Sequence, residues 1–328
     1  MLAKVSHQNF AVVHDPMGPP ELEGGDGLAG AVVAIGNFDG VHRGHKAVME
    51  RAKALAGRLG RPAAVLTFEP HPADFFAGHN VIFRLTPERA KALTLARLGL
   101  DGMIVLTFDA ALAGLPAERF VTDILVRRLG VTGVVIGYDF HFGKARQGSP
   151  AFLAEAGRRH GFVVEVVEKV THDDEGDLMT VNSTATREAL EKGDVAAAHR
   201  LLGHSYFIVG EVIHGAELGR RLGFPTANIL PDPSCRLRHG IYAVRLSVDG
   251  RTYDGVANYG RRPTFDNGAA LLETFVFDFS GDLYGKTIEV DFVGWIRGEE
   301  KFASVEALVA EIKRDVERAR ALLAETAP

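Results

Sequence analysis

The chain changes its pattern of apolar residues near Gly203, and this change limits the folds open to it more than any other feature. Before Gly203, short β-branched runs alternate with helical patterns, which predicts a parallel sheet with helices on its faces. After Gly203 nearly every apolar run has the length and pattern of a strand, which predicts an antiparallel sheet or barrel. We therefore expect two domains: an α/β domain over residues 1–203, and an antiparallel β-barrel with a C-terminal helix over residues 204–328.

The individual elements follow from the same patterns. In the first half we predict strands at 31–35, 63–67, 102–107, 133–136 and 162–167, and helices at 43–59, 117–129 and 151–159. In the second half we predict strands at 206–213, 241–248, 252–258, 271–279 and 287–293, and one amphipathic helix at 304–325. Asp249-Gly250 marks a tight hairpin, because both residues tolerate positive φ. Ser149 and Ser304 are predicted N-caps.

Composition agrees with two globular domains and excludes several classes of protein. At 328 residues the chain exceeds what one core usually supports, and its 46% hydrophobic and 24% charged residues exclude a disordered or collagenous chain. A net charge of −5 provides no general attraction to nucleic acid or anionic lipid, so a bound anion needs a local site. We expect no nucleic-acid or membrane partner, and a monomer or weak homo-oligomer.

Cysteine usage and the first thirty residues bear on the compartment. Cys235 is the only cysteine, so it forms no internal disulfide and completes no thiolate metal site. The N-terminal segment has no apolar core of the kind a secretory signal carries, and no apolar run approaches the ~20 residues of a membrane-spanning helix. The expected location is therefore the cytoplasm.

A first group of chemically active residues follows the strand predicted at 31–35. The string Gly36-Asn37-Phe38-Asp39-Gly40-Val41-His42-Arg43-Gly44-His45 leads directly into a helix. Free backbone N–H groups and the helix dipole at such a junction can hold a phosphate. Two imidazoles three residues apart lie on one face of the first turn and can donate to phosphate oxygens. By itself the pair is equally compatible with helix capping or with half of a metal site.

This string resembles the His-x-Gly-His signature of the nucleotidyltransferases, in the form typical of bacterial FAD synthetases. Further segments resemble that family in the same order: residues 67–72 (Thr-Phe-Glu-Pro-His-Pro), 84–86 (Arg-Leu-Thr), 137–143 (Gly-Tyr-Asp-Phe-His-Phe-Gly) with Arg146 and Gly148, and Ser183-Thr184 with Arg187. Asn182 stands where the family usually has a Ser, and its polar side chain should preserve the function. The resemblance implies a Rossmann-like domain that transfers AMP from ATP to FMN.

The resemblance also implies roles for individual residues. Catalysis is assigned to His42, His45 and Arg187; ATP and phosphate binding to Gly36, Phe38, Asp39, Gly40, Gly44, Ser183 and Thr184; and flavin binding to Thr67, Pro70, His71, Asp139, Phe140 and Phe142. The phosphate of FMN is already an anionic nucleophile, so such a site needs to position groups and neutralise charge rather than supply a strong base. For Phe38, Phe68 and Phe140 we rank a role in the core above ring stacking.

A second group lies after the connection between the halves, where a glycine-rich stretch leads to Pro225-Thr226-Ala227-Asn228. Thr226 and Asn228 place two neutral oxygens on one side of an extended chain, which suits Mg²⁺. For the tetrapeptide alone, an ordinary turn is the favoured interpretation. Glu273 is an acid within a strongly apolar strand, and such a residue needs a functional or structural reason.

These strings, together with residues 240–243, 255–258, 263–265 and 283–285, resemble riboflavin kinase across the whole second half. The resemblance implies that Thr226 and Asn228 bind Mg²⁺ and ATP, and that Glu273 is the catalytic base. It further implies ATP contacts for Gly215, Gly219 and Arg220, and a flavin contact for Arg297, for which an ordinary surface ion pair is an equal alternative. Phe275 stands where many relatives have His.

The combined expectation is a bifunctional enzyme that makes FMN from riboflavin and ATP and then FAD from FMN and ATP, with Mg²⁺ as cofactor. Three rivals remain at this level. One is a regulator whose barrel senses flavin without catalysis, and another is a nucleotidyltransferase with a nucleic-acid-binding barrel. The third is an enzyme in which only one half is active.

Overall fold

The computed structural model describes residues 10–18, 27–170, 172–173, 176–177, 181–215, 219, 222–261 and 270–326, with the backbone alone at 172–173 and 176–177. Its contacts divide the chain into two compact units. The first comprises Met1–Ile82 and Lys91–Val181, and the second comprises Phe83–Ala90 and Asn182–Pro328. The second unit thus begins before the predicted boundary after residue 203, because Leu190 and Leu202 are buried in the core of the antiparallel sheet. The boundary for function stays a prediction.

The first unit is built on a six-stranded parallel sheet with the order β1-β4-β3-β2-β5-β6. Its strands are β1 (Ala11–His14), β2 (Val32–Ile35), β3 (Ala63–Glu69), β4 (Gly102–Thr107), β5 (Gly133–Gly137) and β6 (Val163–Val167). The predicted α/β class is confirmed. Strand β1 is not among the strands predicted from the sequence, and it pairs in parallel with β4.

Helices cover both faces of this sheet, and a separate apolar core fills each face. They are α1 (Arg43–Leu59), α2 (Pro72–Ala77), α3 (Glu88–Arg97), α4 (Ala110–Ala113), α5 (Ala117–Arg119) and α6 (Pro150–His160). Helix α5 continues as a π-helical segment, Phe120–Arg128, where a regular helix was predicted. A short 3₁₀ turn follows at Lys144–Arg146, and His172–Asp173 (β7) pairs with Gly176–Asp177 (β8). Ser149 caps α6 as predicted.

The second unit contains a curled six-stranded antiparallel sheet with the order β10-β13-β12-β11-β14-β9. Its elements are α7 (Ser183–Lys192), α8 (Val195–Leu202), β9 (Phe207–Glu211), β10 (Thr226–Ile229), β11 (Gly240–Val248), β12 (Arg251–Arg261), β13 (Ala270–Val276), β14 (Thr287–Arg297) and α9 (Val305–Glu325). A bridge between Ile213 and Asn228 links the two ends of the strand order. The predicted antiparallel barrel is confirmed as this curled, half-barrel sheet.

Local signals in the second unit gave the expected conformations. Asp249 and Gly250 have φ values of 49° and 74° and form the predicted hairpin between β11 and β12. Ser304 caps α9, whose apolar face packs on β11, β12 and β14. Among the residues described, no helix combines the length and apolar character needed to cross a membrane.

Candidate active sites

The loop between β2 and α1 has a strained backbone. Phe38 and Val41 have φ values of 47° and 44°, a region that side chains other than glycine rarely occupy, and Gly40 has a φ of 87°. Each non-glycine residue in this conformation costs about 1–3 kcal/mol and persists only where its surroundings fix it. Phe38 and Val41 are both buried in the core, which holds the loop in place.

His42 and His45 lie together at the end of this loop. His42 is the N-cap of the 17-residue helix α1, and its Nδ1 accepts a hydrogen bond from the backbone N–H of His45 at 3.3 Å. The rings stack with centroids 3.5 Å apart and planes 20° apart. Because Nδ1 is an acceptor, the hydrogen of a neutral His42 ring is on Nε2, which becomes the donor. Gly44 keeps this turn open, since a Cβ there would lie 3.2 Å from the His42 ring.

Both alternatives raised for the histidine pair can now be assessed. The capping interpretation is confirmed for His42, whose Nδ1 accepts the backbone N–H of His45. A metal centre has no support in the described part of the chain, where no group of three or more His, Cys, Asp or Glu side chains could hold an ion. Asp39, assigned to ATP binding, is 2% exposed within the same loop.

The residues assigned to flavin binding after β3 lie at the carboxyl end of that strand. Thr67 is fully buried, and its hydroxyl donates to the Asn37 carbonyl at 3.2 Å, so the end of β3 is tied to the His42 loop. Pro70 is exposed, and His71 is the N-cap of α2, where its Nδ1 accepts from the Ala73 N–H at 3.1 Å. The direct flavin contacts of these residues stay predictions.

The residues assigned to flavin after β5 divide into an exposed and a buried set. Asp139 is exposed, whereas Phe142 is 7% exposed and stacks with Phe140 at 5.6 Å. Phe38 is a core residue, and Phe68 and Phe140 pack partly buried against the core. This packing agrees with a role in the core for the three rings, and their stacking on a ligand stays a prediction.

One aromatic cluster in the first unit was not found from the sequence. Phe75, Phe76 and Phe108 meet edge to face at centroid distances of 5.3–5.8 Å, and Phe76 is 71% exposed. An exposed phenyl ring held by two others offers a flat apolar surface. The Phe75-Phe76 pair after Pro72 was the available signal, but the distant Phe108 could not be foreseen.

The remaining residues assigned to phosphate binding belong to the second unit. Ser183 and Thr184 form the first turn of α7, and Asn182 caps this helix by accepting from the Ala185 N–H at 2.8 Å. Asn is as good an N-cap as Ser, which explains why the departure at this position is tolerated. Arg187 Nε donates to the Phe83 carbonyl at 2.7 Å, so the arginine is held by the backbone.

The second unit contains a cavity of about 290 Å³ enclosed by the sheet, the segment before β10 and helix α9. A ligand of nucleoside or flavin size usually occupies a pocket of about 300–1,000 Å³. Its lining includes four residues assigned from the sequence, namely Gly219, Thr226, Glu273 and Arg297. It also includes the apolar side chains of Leu222, Phe224, Ile241, Val256, Phe275, Phe302, Leu308 and Ile312.

Strand register places three polar side chains in one row, and two of them, Glu273 and Asn258, line this cavity. Glu273 on β13 lies opposite Asn228 on β10 and opposite Asn258 on β12. The buried Oδ1 atoms of Asn228 and Asn258 have no hydrogen-bond partner within the described residues. A buried acceptor left without a partner costs about 1–3 kcal/mol, so both oxygens are poised for a ligand, a metal ion or a water molecule. Asn258 belongs to a string quoted from the sequence but was not assigned a role there.

Two glycines allow the segment before β10 to approach this row. A Cβ at Gly215 would lie 2.6 Å from Asn228 Nδ2, and one at Gly219 would lie 2.3 Å from the Phe224 carbonyl oxygen. Only glycine fits at position 219, where the contact is with backbone, whereas at position 215 a side chain would displace the Asn228 amide. Arg220, assigned to ATP binding, lies outside the described residues.

Arg297 forms an ion pair, but not the surface pair considered as an alternative. Its side chain is 13% exposed, and its guanidinium binds Asp315 on α9 through Nε to Oδ1 at 3.0 Å and Nη2 to Oδ2 at 2.6 Å. Burial disfavours the charged form, yet the Asp315 carboxylate holds the pKa of Arg297 above its ordinary value. The Arg297 guanidinium is therefore fixed at the cavity wall and stays positively charged.

Two further ring contacts flank the second site. His214 stacks on Tyr284 with centroids 3.9 Å apart and planes 20° apart, and neither ring was singled out from the sequence. Phe275, which replaces the common His, meets Phe224 edge to face at 5.3 Å and lines the cavity. The replacement makes this wall apolar and does not interrupt the row that contains Glu273.

Comparison with known proteins assigns each half to a family. Residues 26–184 match the family model for FAD synthetase, and residues 202–323 match the model for riboflavin kinase. The bifunctional riboflavin kinase/FMN adenylyltransferase of Pseudomonas fluorescens is 44% identical, over 91% of this chain and 94% of its own. The proteins of the same name from Haemophilus influenzae and Escherichia coli K12 are 43% and 40% identical, over 90% and 91% of this chain and 94% and 95% of theirs.

A solved structure also matches the overall fold. The crystal structure of a macrolide-efflux protein from Streptococcus pneumoniae superposes with a TM-score of 0.77 and 28% identity, covering 94% of this chain and 98% of that chain.

Proposed function

The chain belongs to the family of bifunctional riboflavin kinases/FMN adenylyltransferases, and we propose that the cavity beside Glu273 carries out the kinase reaction while the His42 loop carries out adenylyl transfer. The enzyme phosphorylates riboflavin with ATP and adenylylates FMN with ATP. The observation that carries the residue assignment is the row formed by Asn228, Glu273 and Asn258, the last two of which line the cavity. The functional division after residue 203 belongs to the same proposal.

In the kinase half, Glu273 is proposed as the general base. The 5′-hydroxyl of riboflavin is a poor nucleophile, and a carboxylate within hydrogen-bond reach accepts its proton as the oxygen attacks the γ-phosphorus of ATP and ADP leaves. Glu273 is held in the middle strand of three, so its position relative to Asn228 and Asn258 does not depend on a loop. A rigid base of this kind reduces the reorganisation needed for proton transfer.

Magnesium is part of the proposal for this half, and the residues present fit it. Asn228 provides a buried carbonyl oxygen without a partner among the described residues, and Thr226 provides a hydroxyl two residues away on the same face of β10. Neutral oxygens beside nucleotide phosphates are the ligands that Mg²⁺ prefers. When bound, the ion neutralises charge on the transferring phosphate. Gly215 and Gly219, with Arg220, are proposed to contact ATP.

The flavin ring system is proposed to lie against the apolar wall of the cavity. Phe224, Phe275 and Phe302 supply that wall, and Arg297 supplies a fixed cation that donates hydrogen bonds to acceptor atoms of the ring. Asp315 accepts hydrogen bonds from Nε and Nη2 of Arg297, so the guanidinium is oriented before substrate arrives.

In the adenylyltransferase half, the phosphate of FMN attacks the α-phosphorus of ATP, and pyrophosphate leaves. His42 Nε2 and His45 are proposed to donate to the phosphate oxygens as negative charge builds there, next to the N-terminus of α1. The loop residues Gly36, Phe38, Asp39, Gly40 and Gly44 are proposed to shape the ATP site. Ser183, Thr184 and Arg187 are proposed to bind the leaving pyrophosphate. Thr67, Pro70, His71, Asp139, Phe140 and Phe142 are proposed to form the flavin side.

Partners and compartment complete the proposal. Riboflavin, FMN and ATP are the substrates that follow from the two activities. The net charge of −5 supports an enzyme without a nucleic-acid partner, present as a monomer or weak homo-oligomer. A single cysteine fits a reducing compartment, which supports the cytoplasm.

The test is a pair of variants assayed with riboflavin, ATP and Mg²⁺, with products separated by chromatography. His42→Ala should accumulate FMN without FAD, whereas Glu273→Gln should form FMN far more slowly than the wild type but still convert supplied FMN to FAD. Loss of both activities in either folded variant would overturn this division of labour.

A further inference from the structure

Lys91 on α3 is one of the most deeply buried charged groups in the described chain, with 1% of its surface exposed. Lysine is rarely buried completely, because removing an ammonium from water is costly unless hydrogen bonds or charges compensate it. No role was assigned to Lys91 from the sequence. A methionine or leucine would fill the same volume without this penalty, so the charge itself needs an explanation.

The contacts of Lys91 are with the carboxyl end of β3. Its Nζ donates to Thr67 Oγ1 at 3.2 Å and lies 3.5 Å from the Glu69 carboxylate. Thr67 and Glu69 are two residues apart and border the segment Pro70-His71 assigned to the flavin side. One ammonium therefore holds two side chains at the edge of the sheet where ligands of open α/β folds bind.

The Thr67 hydroxyl extends this contact to the nucleotide loop. While it accepts from Lys91, it donates to the backbone carbonyl of Asn37 at 3.2 Å. Asn37 precedes Phe38, the first of the positive-φ residues that lead to His42. Lys91, Thr67 and Asn37 thus form a continuous hydrogen-bonded chain from a buried charge to the strained loop. Because the Lys91 charge polarises Thr67, the bond to Asn37 is stronger than a neutral hydroxyl alone would make.

We propose that Lys91 is a positioning residue for adenylyl transfer, acting through Thr67 to hold the Asn37 carbonyl and, with it, the loop that presents His42. This inference rests on the proposed function of the His42 loop. The strained backbone of that loop persists only if its surroundings hold it in place. The hydrogen bonds from Lys91 through Thr67 to Asn37 are a polar contact that does so. Lys91 binds Thr67 and Glu69, both of the first unit, so we expect its substitution to affect adenylyl transfer rather than the kinase reaction.

The first experiment measures both activities of the full chain for Lys91→Met. We expect kcat/KM for FMN adenylylation to fall about 10- to 100-fold, the size expected when a charge-assisted hydrogen bond in a positioned site is lost. The fall should be in kcat more than in the KM for ATP, because the loop is misplaced rather than missing. Riboflavin kinase activity of the same sample should remain within about twofold, which shows that the chain is folded.

Two variants separate positioning from bulk stability. Lys91→Arg keeps the charge and a donor and should recover at least part of kcat. Lys53→Met is the matched control, since Lys53 also bonds a backbone carbonyl, Leu98, at 2.7 Å but lies on α1 about 12 Å along the helix from His45. It should leave both activities unchanged, and the melting temperatures of the two variants show whether a loss of stability alone could account for the effect of Lys91→Met.

A double-mutant cycle tests the route through Thr67. Thr67→Val removes the hydroxyl that joins Lys91 to Asn37, so Thr67→Val, Lys91→Met and the double variant should show similar losses of adenylyltransferase kcat. If the losses of the two single variants multiply in the double variant, the proposed route through Thr67 is overturned. A wild-type kcat in Lys91→Met would overturn it as well. If Lys91→Met does not fold, Thr67→Val and Lys91→Arg decide the question in the same way. His42→Ala with full FAD formation would overturn the proposed function instead, whatever Lys91→Met does.

Discussion

Asn258 lies directly opposite Glu273 across strands β12 and β13, and the buried amide oxygen of Asn258 has no partner within the described residues. Side chains paired in this way are about 4.5–5.5 Å apart at Cβ, close enough for both to contact one substrate group. The pairing joins an unassigned amide to the proposed base of the kinase reaction. A substitution in this row can therefore remove either the proposed base or a hydrogen-bonding amide.

Removing the carboxylate should be far more severe than removing the amide. Glu273→Gln keeps the shape of the side chain and should lower riboflavin kinase kcat about 10²- to 10⁴-fold, whereas Asn258→Ala should lower it about 3- to 30-fold, as the loss of one hydrogen bond does. Steady-state assays with riboflavin measure both. Equal losses in the two variants would contradict the assignment of Glu273 as base.

Asn228 should determine the metal requirement. Asn228→Ala removes a proposed Mg²⁺ ligand, so the Mg²⁺ concentration for half-maximal kinase activity should rise about tenfold or more, and chelation by EDTA should inactivate the variant sooner than the wild type. Asn258→Ala is the control and should leave this concentration unchanged. An unchanged Mg²⁺ requirement in Asn228→Ala would remove Asn228 from the metal site.

His42 serves both as N-cap and as donor, and two substitutions separate these roles. His42→Asn retains a capping oxygen and should preserve the melting temperature, whereas His42→Ala should destabilise the first unit by about 1 kcal/mol. Both should lose FAD formation, because neither places the Nε2 donor. Thermal unfolding and an FMN adenylylation assay provide the two readouts, and FAD formation by His42→Asn would show that capping alone is sufficient.

The ion pair between Arg297 and Asp315 should contribute both to stability and to flavin binding. Asp315→Asn removes the charge that compensates the buried guanidinium, although Glu311 remains 3.7 Å from Arg297, so we expect a loss of about 1–3 kcal/mol and a higher KM for riboflavin. Urea unfolding and kinase assays measure the two effects. Glu191→Gln, which breaks the exposed pair with Arg236, should cost less than about 0.5 kcal/mol and leave KM unchanged.

Alkaline pH should destabilise the second unit. Burial raises the pKa of the Tyr242 and Tyr259 phenols, and both side chains are fully buried. A group whose pKa is higher in the folded state stabilises the fold below its unfolded pKa, about 10 for tyrosine, and loses this contribution as the pH rises above that value. Unfolding in urea at pH 8 to 11, with phenolate absorbance, should show this decline, and Tyr242→Phe should make it shallower.

Burial also raises the pKa of Cys235, so its alkylation should be slow until the unit unfolds.

Much of the site could be read from the sequence because its parts are contiguous. The loop from Gly36 to His45 and the Thr226-Asn228 pair each lie within a few residues, so spacing alone indicates which groups share a turn or a strand face. Lys91 could not be found in this way. It lies 24 residues after Thr67, and only the packing of α3 on the end of β3 buries its ammonium there.

The fold, like the site, was partly predictable from the sequence and partly decided by the tertiary structure. Helical and strand periodicity determined the two sheet types, and Ser149, Asp249-Gly250 and Ser304 determined the ends of the elements they flank, because capping and turn chemistry act over four residues or fewer. Tertiary structure alone decided that Asn258 faces Glu273 and that Arg297 meets Asp315 in a buried pair. Strand register and helix docking are set by the burial of whole faces, so the partner that a side chain meets depends on residues far away in the chain.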